Sequence, residues 1–407
     1  MRNVLLVSAL CLAAGVRTAH AVDPELIFVE PPSGYFRVAV NNCNASGLVA
    51  VGDASVVNSS AVHGSVLYRT GTGTIATAVI GPPPGYQRCG FQAVSDDASR
   101  FFGWVSESGS TFRPAYYDNN GWHVMSTTAN VRIRGCNPEG TLFFGSMSDG
   151  SFFRAAAFNV NSGSVSFLPN NATDGDTIFE SEAVGGTFTE NSIIAYGRGR
   201  GSDQIFRPIQ FGVIPPFIFA NKLANPSTWS SNTGVVCSGD GSRLIVNTGV
   251  YYGYPIYWTT NRRFSFTAPD PVSYVNVAAR TDDPGVEIAA ISRDGHVYAG
   301  SIPLPLDIYT STPAAGRDDQ YHRLWDLLRD KGVTIPGHYA SNATAVNATG
   351  DRFWGNLIYS QFGGQRVFYA SVDVPTPQVD CAADFNKDGF ITFEDFDAFV
   401  AAFEAGC

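Results

Sequence analysis

The chain has 407 residues, with 26 lysines and arginines against 36 acidic residues, and therefore a formal net charge of −10. This acidic balance argues against nucleic acid or an anionic membrane surface as a partner. Short apolar or alternating runs, broken by many of the 42 glycines, are typical of an all-β fold.

The first 21 residues are predicted to be a secretory signal peptide. Arg2 supplies the positive start, Val4 to Val16 form an apolar run, and Ala19-His20-Ala21 has the small residues of a cleavage site. The run is too short for a transmembrane segment, and no other stretch approaches 18 uninterrupted apolar residues. We therefore expect a mature protein that is secreted or attached to the cell surface.

Residues 22–372 are predicted to form one repeat domain. A turn containing Ser or Asn and a polar residue leads each time into a strand that is predicted to end in glycine, or in asparagine in the fifth unit. The marks fall at Gly52, Gly103, Gly145, Gly197, Asn247, Gly300 and Gly355, at intervals of 42 to 55 residues. A second mark follows at Phe112-Arg113, Phe153-Arg154, Phe206-Arg207, Tyr254 and Arg366-Val-Phe-Tyr369.

A multi-strand unit of this period is typical of propeller blades, because one small sheet cannot bury both of its faces alone. Seven marks predict a seven-bladed β-propeller across residues 30–372. The paired elements also resemble the HAF repeats of exported bacterial proteins. One exception to the strand pattern is a helix predicted from Arg323 to Lys331, ended by Gly332.

The cysteines and other reactive side chains of the repeat domain fit structural roles. Removing the signal peptide takes Cys11 and leaves six cysteines, an even number. Cys43, Cys136 and Cys237 stand where other units have Val or Ile, which favours buried thiols over disulfides between blades. Cys89 lies outside the repeat register and could pair with any of them.

Catalytic motifs are not evident in the repeats. His63, His123, His296, His322 and His338 lack metal-binding spacing, and Gly197-Arg-Gly-Arg-Gly201 is interpreted as a hairpin turn. Asp96, Asp97, Glu139, Asp240 and Asp294 occupy equivalent turns, so local backbone bonding explains them. Arg113, Arg154 and Arg207 are interpreted as packing and ion-pair residues.

The C-terminal tail carries the most specific chemistry. Oxygen-bearing side chains fall at positions 1, 3, 5, 9 and 12 of a twelve-residue loop whose sixth residue is Gly389, the spacing of an EF-hand-like calcium loop. The predicted calcium ligands are Asp384, Asn386, Asp388, the Phe390 carbonyl, Thr392 and Asp395. A solvated acidic turn is the alternative.

Residues 381–407 resemble the GC-type dockerin tail of exported bacterial proteins, after the linker 373–380. That resemblance implies a calcium-stabilised anchoring module. A Cys381–Cys407 disulfide would close it, and a module this small usually needs a disulfide, a metal or both. An apolar stripe formed by Phe393, Phe396, Phe399 and Phe403 must be covered by the main domain, a second copy or a receptor.

Two functions remain open from the sequence. The favoured one is a non-enzymatic propeller that binds a protein or glycan and is anchored to a cell-surface or extracellular receptor by its calcium tail. The alternative is a propeller hydrolase or lyase that acts on extracellular polysaccharide and is localised by the same tail. Propellers host both kinds of function, so the fold alone does not decide between them.

Overall fold

The computed structural model describes residues 22–376 and residue 400. Within that range it has gaps at 57–63, 72, 108–109, 190–191, 215–216, 223–234, 240–242, 253–255, 266–273, 278–285, 304–310, 318–319, 336–339 and 359–364. The described residues form 28 strands and one helix. No helix among them is long and apolar enough to cross a membrane.

The strands form seven blades of four antiparallel strands, and each blade is numbered from its innermost strand outward. Blade 1 contains β2 Tyr35–Cys43, β3 Val49–Val56, β4 Gly64–Gly71 and β5 Thr74–Ile80; blade 2 contains β6 Arg88–Val94, β7 Phe101–Ser106, β8 Phe112–Asp118 and β9 Gly121–Val124. Blade 3 contains β10 Val131–Cys136, β11 Leu142–Ser148, β12 Phe153–Asn159 and β13 Val165–Phe167; blade 4 contains β14 Glu180–Thr189, β15 Ser192–Arg200, β16 Phe206–Ile214 and β17 Phe217–Lys222.

The last three blades follow the same order. Blade 5 contains β18 Val235–Cys237, β19 Arg243–Tyr252, β20 Ile256–Ser265 and β21 Tyr274–Val277; blade 6 contains β22 Glu287–Ile291, β23 Val297–Pro303, β24 Ser311–Arg317 and β25 Gln320–Arg323. Blade 7 contains β26 Ala340–Val346, β27 Arg352–Ile358 and β28 Gln365–Ser371. The predicted seven-bladed propeller is confirmed.

The fourth strand of blade 7 comes from residues that precede blade 1 in the sequence. Strand β1, Glu25–Val29, pairs antiparallel with β28, with Glu25 opposite Ser371. Because β1 precedes blade 1 and pairs with the last strand of blade 7, it closes the ring of blades. The predicted range 30–372 was therefore wrong at its start, since a strand before residue 30 completes the last blade.

The recurring glycine lies within the second strand of its blade and does not end it, which corrects the predicted position. In blade 3, Gly145 pairs with Ile133, and a β-bulge follows at once in the inner strand. A Cβ on Gly145 would overlap the carbonyl oxygen of Arg132. The same relation to the inner strand recurs at Gly52, Gly103, Gly197, Gly300 and Gly355. The repeated glycine is thus the residue that allows the bulge.

Blade 5 shows what happens without this glycine. Counted from the end of its inner strand, the equivalent residue is Val246, not the predicted mark Asn247. Val246 pairs in regular register with Val235, and the described pairs of β18 with β19 contain no bulge. A side chain at this position and a bulge opposite it therefore exclude each other.

The hydrophobic core lies between the blades. Each neighbouring pair encloses its own cluster of buried side chains. Between blades 2 and 3, the rings of Phe102, Phe143 and Phe158 stack with centroid separations of 5.1 and 4.8 Å. At about 1.5–3 kcal/mol for each buried Phe, these clusters hold neighbouring blades together.

The predicted helix is confirmed as α1, Leu324–Asp330, in the connection between blades 6 and 7. Leu324, Leu328 and Trp325 are buried, and the Trp325 ring lies 4.9 Å from that of Phe368. Gly332 follows the helix with a φ of 82°, a left-handed conformation that glycine adopts without steric cost.

Candidate functional site

A central cavity of about 510 Å³ lies where the seven inner strands meet. It is lined mainly by residues of those strands and of the turns that follow them, with Arg198 and Asn356 from second strands. The recurring glycines position this lining indirectly, because in six blades the residue that bulges out of the inner strand opposite the glycine belongs to the cavity wall.

We call these residues the bulge ring. Its members, one from each blade in order, are Asn41, Gln92, Arg134, Val184, Val235, Ala289 and Thr344. In blade 5, Val235 occupies the same place without a bulge. The bulge recurs in six of the seven blades, whereas the side chains of the ring differ in chemistry. Four of them are polar and three are apolar. The three apolar members stand side by side on blades 4, 5 and 6.

An arginine–glutamate–arginine cluster joins blades 3 and 4 at the cavity wall. Nε of Arg134 and Nε of Arg198 each lie 3.0 Å from a different carboxylate oxygen of Glu182. The Glu182 side chain is only 11% exposed, whereas that of Arg134 is 44% exposed. The guanidinium of Arg198 also lies over the ring of Phe206, 5.1 Å from its centroid. Arg198 is therefore fixed on two sides.

Three of the polar ring members also connect blade 1 with its neighbours. Nδ2 of Asn41 donates to the Phe91 carbonyl at 2.7 Å and to Asp53 Oδ2 at 3.0 Å, while Nε2 of Gln92 donates to the same Asp53 oxygen at 3.2 Å. Oγ1 of Thr344 donates to the Val40 carbonyl at 3.0 Å. These donors are used in holding blades together.

The carboxylate that receives two of these bonds is in an unfavourable environment. Asp53 Oδ1 is buried and has no hydrogen-bond partner. Burial raises the pKa of Asp53 from 3.8 to about 6, against the hydrogen bonds from Asn41, Gln92 and the Phe91 backbone, which lower it.

An ion pair crosses the cavity at the turn end of the inner strands. Nη1 of Arg293 in the blade 6 turn lies 2.6 Å from Oδ2 of Asp96 in the blade 2 turn. Burial raises the pKa of Asp96, whereas the positive charge of Arg293 lowers it. Because blades 2 and 6 are not neighbours, this pair spans one mouth of the cavity.

Three thiols lie near the same mouth. Cys43, Cys136 and Cys237 each end an inner strand and line the cavity, and no disulfide among the described residues includes any of them or Cys89. Burial raises the pKa of Cys43 to about 12 and raises that of Cys136 as well. Thiols held protonated in this way are poor nucleophiles. The prediction of buried thiols is confirmed for Cys43. Cys136 and Cys237 are instead partly exposed.

The other sequence predictions in the repeat domain can now be compared with the structure. Arg113, Arg154 and Arg207 each pair with an acidic residue of the preceding loop, Glu107, Asp149 and Asp203, which confirms their ion-pair role. Asp97 and Asp294 bond within their own turns, as predicted. Asp96 does not, because it reaches across the cavity to Arg293. Gly197 and Gly199 lie in strand β15, so the predicted hairpin turn at 197–201 was wrong.

The predicted calcium ligands, the Cys381–Cys407 pair and the phenylalanine stripe all lie outside the described residues. Also outside them are His63, His338 and Asp240. Among the residues that are described, no group of three or more His, Cys, Asp or Glu side chains could hold a metal ion.

The bulge ring was missed by sequence reasoning, although a signal for it exists. In blades 1, 2, 3, 6 and 7 the ring residue stands eleven positions before the recurring glycine, as Arg134 stands before Gly145. The turn residues repeat their chemistry, while the position eleven before the glycine does not. Variation within a strict repeat is therefore the signal that indicates the cavity wall.

Comparison with known proteins supports the fold. No protein-family model matches the chain, and no curated protein matches it. Solved structures do. The β-propeller domain of the Trilobed protease from Pyrococcus furiosus has 11% identity and a TM-score of 0.53, over 84% of this chain and 100% of that one. The fold is that of a β-propeller.

Two further structures have lower TM-scores. An oligogalacturonate lyase from Vibrio parahaemolyticus has 10% identity and a TM-score of 0.49, over 87% of this chain and 98% of that one. A putative TolB from Agrobacterium tumefaciens has 10% identity and a TM-score of 0.42, over 59% of this chain and 79% of that one. The Pyrococcus domain is described as having an open velcro topology, whereas in this propeller β1 pairs with β28.

Proposed function

We propose that this protein is an exported, non-enzymatic binding propeller whose ligand occupies the central cavity and contacts the bulge ring. The observation that carries the proposal is the contrast between the repeated glycine and the varied ring. The same glycine and bulge recur in six blades, and in each of these blades the bulge directs a different side chain into the central cavity. Bulges commonly re-aim side chains beside functional sites.

The size and lining of the cavity suit a small ligand. A volume of about 510 Å³ lies within the range of about 300–1,000 Å³ usual for small-molecule sites. Polar ring members on blades 1, 2, 3 and 7 supply hydrogen-bonding groups, and the apolar arc of Val184, Val235 and Ala289 supplies a surface for packing. Such a combination of few polar groups and an apolar wall is typical of ligand pockets.

The carboxylates of the cavity wall support binding over hydrolysis. Glycoside hydrolysis requires one carboxylic acid and one carboxylate facing the scissile bond. Glu182 is held between Arg134 and Arg198, and Asp96 is paired with Arg293. Each carboxylate is thus held in an ion pair with a guanidinium.

The rest of the proposal rests on the sequence of the two ends. The signal peptide of residues 1–21 supports export. The loop of Asp384, Asn386, Asp388, Phe390, Thr392 and Asp395, with its resemblance to GC-type dockerin tails, supports a calcium-stabilised module. We propose that this module attaches the propeller to a cell-surface or extracellular protein receptor through the stripe of Phe393, Phe396, Phe399 and Phe403.

The test is to block the cavity and ask which ligands are lost. The mature protein and its Ala289→Trp variant are screened by thermal shift against small metabolites and oligosaccharides. Ala289 lines the cavity and is exposed to it, so tryptophan there fills space without replacing a core residue. The matched control is Ala76→Trp on the outermost strand of blade 1, where the residue is also exposed.

Ligands that stabilise the mature protein and the Ala76→Trp control, but not Ala289→Trp, support the proposal. Recovery of those ligands unchanged after prolonged incubation, measured by mass spectrometry, supports binding without catalysis. Conversion to a product would support the polysaccharide hydrolase or lyase instead. Ligands that bind Ala289→Trp as well as the mature protein would place the site elsewhere.

A further inference from the structure

The cavity wall has an excess of positive charge on an otherwise acidic protein. Three guanidinium groups, those of Arg134, Arg198 and Arg293, face two carboxylates, those of Glu182 and Asp96. Arg293 and Asp96 neutralise each other at the mouth. Glu182 is contacted by both other arginines, so the lining of blades 3 and 4 holds two guanidinium groups and one carboxylate, in a chain whose net charge is −10.

Arg134 is the arginine of this cluster whose guanidinium is most accessible to a ligand in the cavity. It uses Nε to contact Glu182, and its two Nη groups have no hydrogen-bond partner among the described residues. Its side chain is 44% exposed and lines the cavity, whereas Arg198 is 24% exposed and lies over Phe206. Two parallel N–H donors of one guanidinium match the two oxygens of a carboxylate.

The neighbouring ring members offer the complementary groups. The side-chain amide nitrogens of Asn41 and Gln92 are used in bonds to Asp53 and Phe91. Their carbonyl oxygens have no donor among the described residues. Free acceptors select ligand groups that donate, such as hydroxyls. Blades 1 to 3 therefore present two acceptors beside one guanidinium, and the apolar arc of blades 4 to 6 lies on the other side.

We infer that the cavity binds a small hydroxylated carboxylate, in the size range of one or two sugar-acid units, with its carboxylate on Arg134 and its hydroxyls on Asn41 and Gln92. This inference rests on the proposed binding function of the cavity and adds the chemical class of the ligand. Glu182 is a positioning residue in this arrangement, because it orients both guanidiniums and partly offsets their charge.

The test compares two ligands that differ at one carbon. Isothermal titration calorimetry of the mature protein is carried out with D-glucuronate and with D-glucose, which has a CH₂OH group in place of the carboxylate. We expect glucuronate to bind at least about tenfold more tightly than glucose, since hydrogen bonds to a charged partner are roughly twice as strong as neutral ones. Equal affinities would overturn the inference.

Two variants with opposite expected effects exclude misfolding as an explanation. Arg134→Met should weaken glucuronate binding by at least about tenfold, while the exposed Arg69→Met, distant from the cavity lining, should leave it unchanged. Glu182→Gln removes the competing negative charge and keeps one of the two acceptor oxygens, so it should strengthen binding severalfold. Unchanged affinity in both Arg134→Met and Glu182→Gln would overturn the assignment.

A competition experiment with inorganic sulfate tests whether the site recognises more than negative charge. If sulfate displaces glucuronate as effectively as glucuronate itself does, the site recognises charge alone and the inference of a hydroxylated ligand fails. If glucuronate does not bind, but other ligands are lost specifically in Ala289→Trp, this inference is overturned while the binding function stands. If no ligand of either kind is found, both proposals fall.

Discussion

Asn356 of blade 7 binds both backbone groups of Val40 in blade 1. Its Oδ1 accepts from the Val40 N–H at 2.8 Å and its Nδ2 donates to the Val40 carbonyl at 3.1 Å. Asn247 of blade 5 makes the same two bonds to Ile288 of blade 6, at 3.0 and 2.8 Å. Each receiving residue lies immediately before the bulge of its inner strand in the next blade.

Between blades 1 and 2 this amide contact is divided between two side chains. Asp53 stands in the position of Asn356, and Asn41 supplies the donor to the Phe91 carbonyl. The carboxylate that stands here in place of an amide is a partly buried negative charge. Burial of this charge raises the pKa of Asp53 to about 6.

The first prediction concerns the pH dependence that Asp53 imposes. Because its pKa is raised on folding from 3.8 to about 6, the folded state binds more protons between these values, and stability falls as pH rises through that window. Asp53→Asn should remove this loss. Relative to the wild type, the variant should gain up to about 3 kcal/mol in free energy of unfolding between pH 4 and pH 8.

Urea unfolding at several pH values measures this gain. The exposed Glu287→Gln is the matched control, because it removes a carboxylate that lies in water. A pH-independent difference for Asp53→Asn would show that the carboxylate is not desolvated in the folded protein.

The second prediction concerns the recurring glycine. Gly145→Ala should destabilise the protein by about 2 kcal/mol or more, since the added methyl group overlaps the Arg132 carbonyl and the bulged strand must move. Gly81→Ala is the control, because nothing lies within 4 Å of a Cβ at that position. Both are compared by urea unfolding, and equal effects would refute the steric role of Gly145.

The third prediction concerns closure of the ring by β1. Deleting residues 22–30 removes the strand that pairs with β28, the Ser371 Oγ bond to the Asp23 carbonyl and the Glu30–Arg366 ion pair. We expect a loss of several kcal/mol in stability and association through the exposed edge of β28. Glu30→Gln alone breaks a largely exposed pair and should cost no more than about 1 kcal/mol.

Denaturant unfolding together with light scattering tests this closure. A truncated protein that stays monomeric and as stable as Glu30→Gln would mean that β1 is dispensable.

The fourth prediction concerns the tail. We expect the mature protein to bind one calcium ion through Asp384, Asn386, Asp388, Thr392, Asp395 and the Phe390 carbonyl, and the tail to become ordered on binding, since metal affinity and folding are coupled in such loops. Calorimetry should show calcium heat that disappears in Asp388→Ala. Asp397→Ala, just outside the twelve-residue loop, should retain it; heat that persists in Asp388→Ala would refute the ligand set.

The fifth prediction concerns location. If the stripe of Phe393, Phe396, Phe399 and Phe403 binds a receptor, truncation after Val374 should move the protein from the cell surface to the medium, because a stripe of this size is unfavourable in water. Fractionation of cells expressing each form measures this, with Asp388→Ala expected to behave like the truncation. Identical distributions would indicate that the stripe packs on the propeller itself.

Much of the architecture was predictable because blades are local units. Blades 1 to 6 each come from about fifty consecutive residues, so the glycine and the Phe-Arg element recur in most units at a period that the sequence displays directly. Seven blades, helix α1 and the ion pairs of Arg113, Arg154 and Arg207 follow from this local order. The predicted calcium loop is likewise contained in twelve consecutive residues, and it stays a prediction from the sequence.

Only the tertiary structure decided how these units combine. Strand β1 is separated from β28 by more than 330 residues, and no repeat mark identifies it as the last strand of blade 7. The recurring glycine is required because a carbonyl oxygen of the facing strand leaves no space for a Cβ. Arg134 and Glu182 come into contact only because blades 3 and 4 pack side by side. The sequence repeat shows the residues that every blade needs for its own packing. The cavity is lined by side chains at positions where the repeat allows the residue to differ from blade to blade.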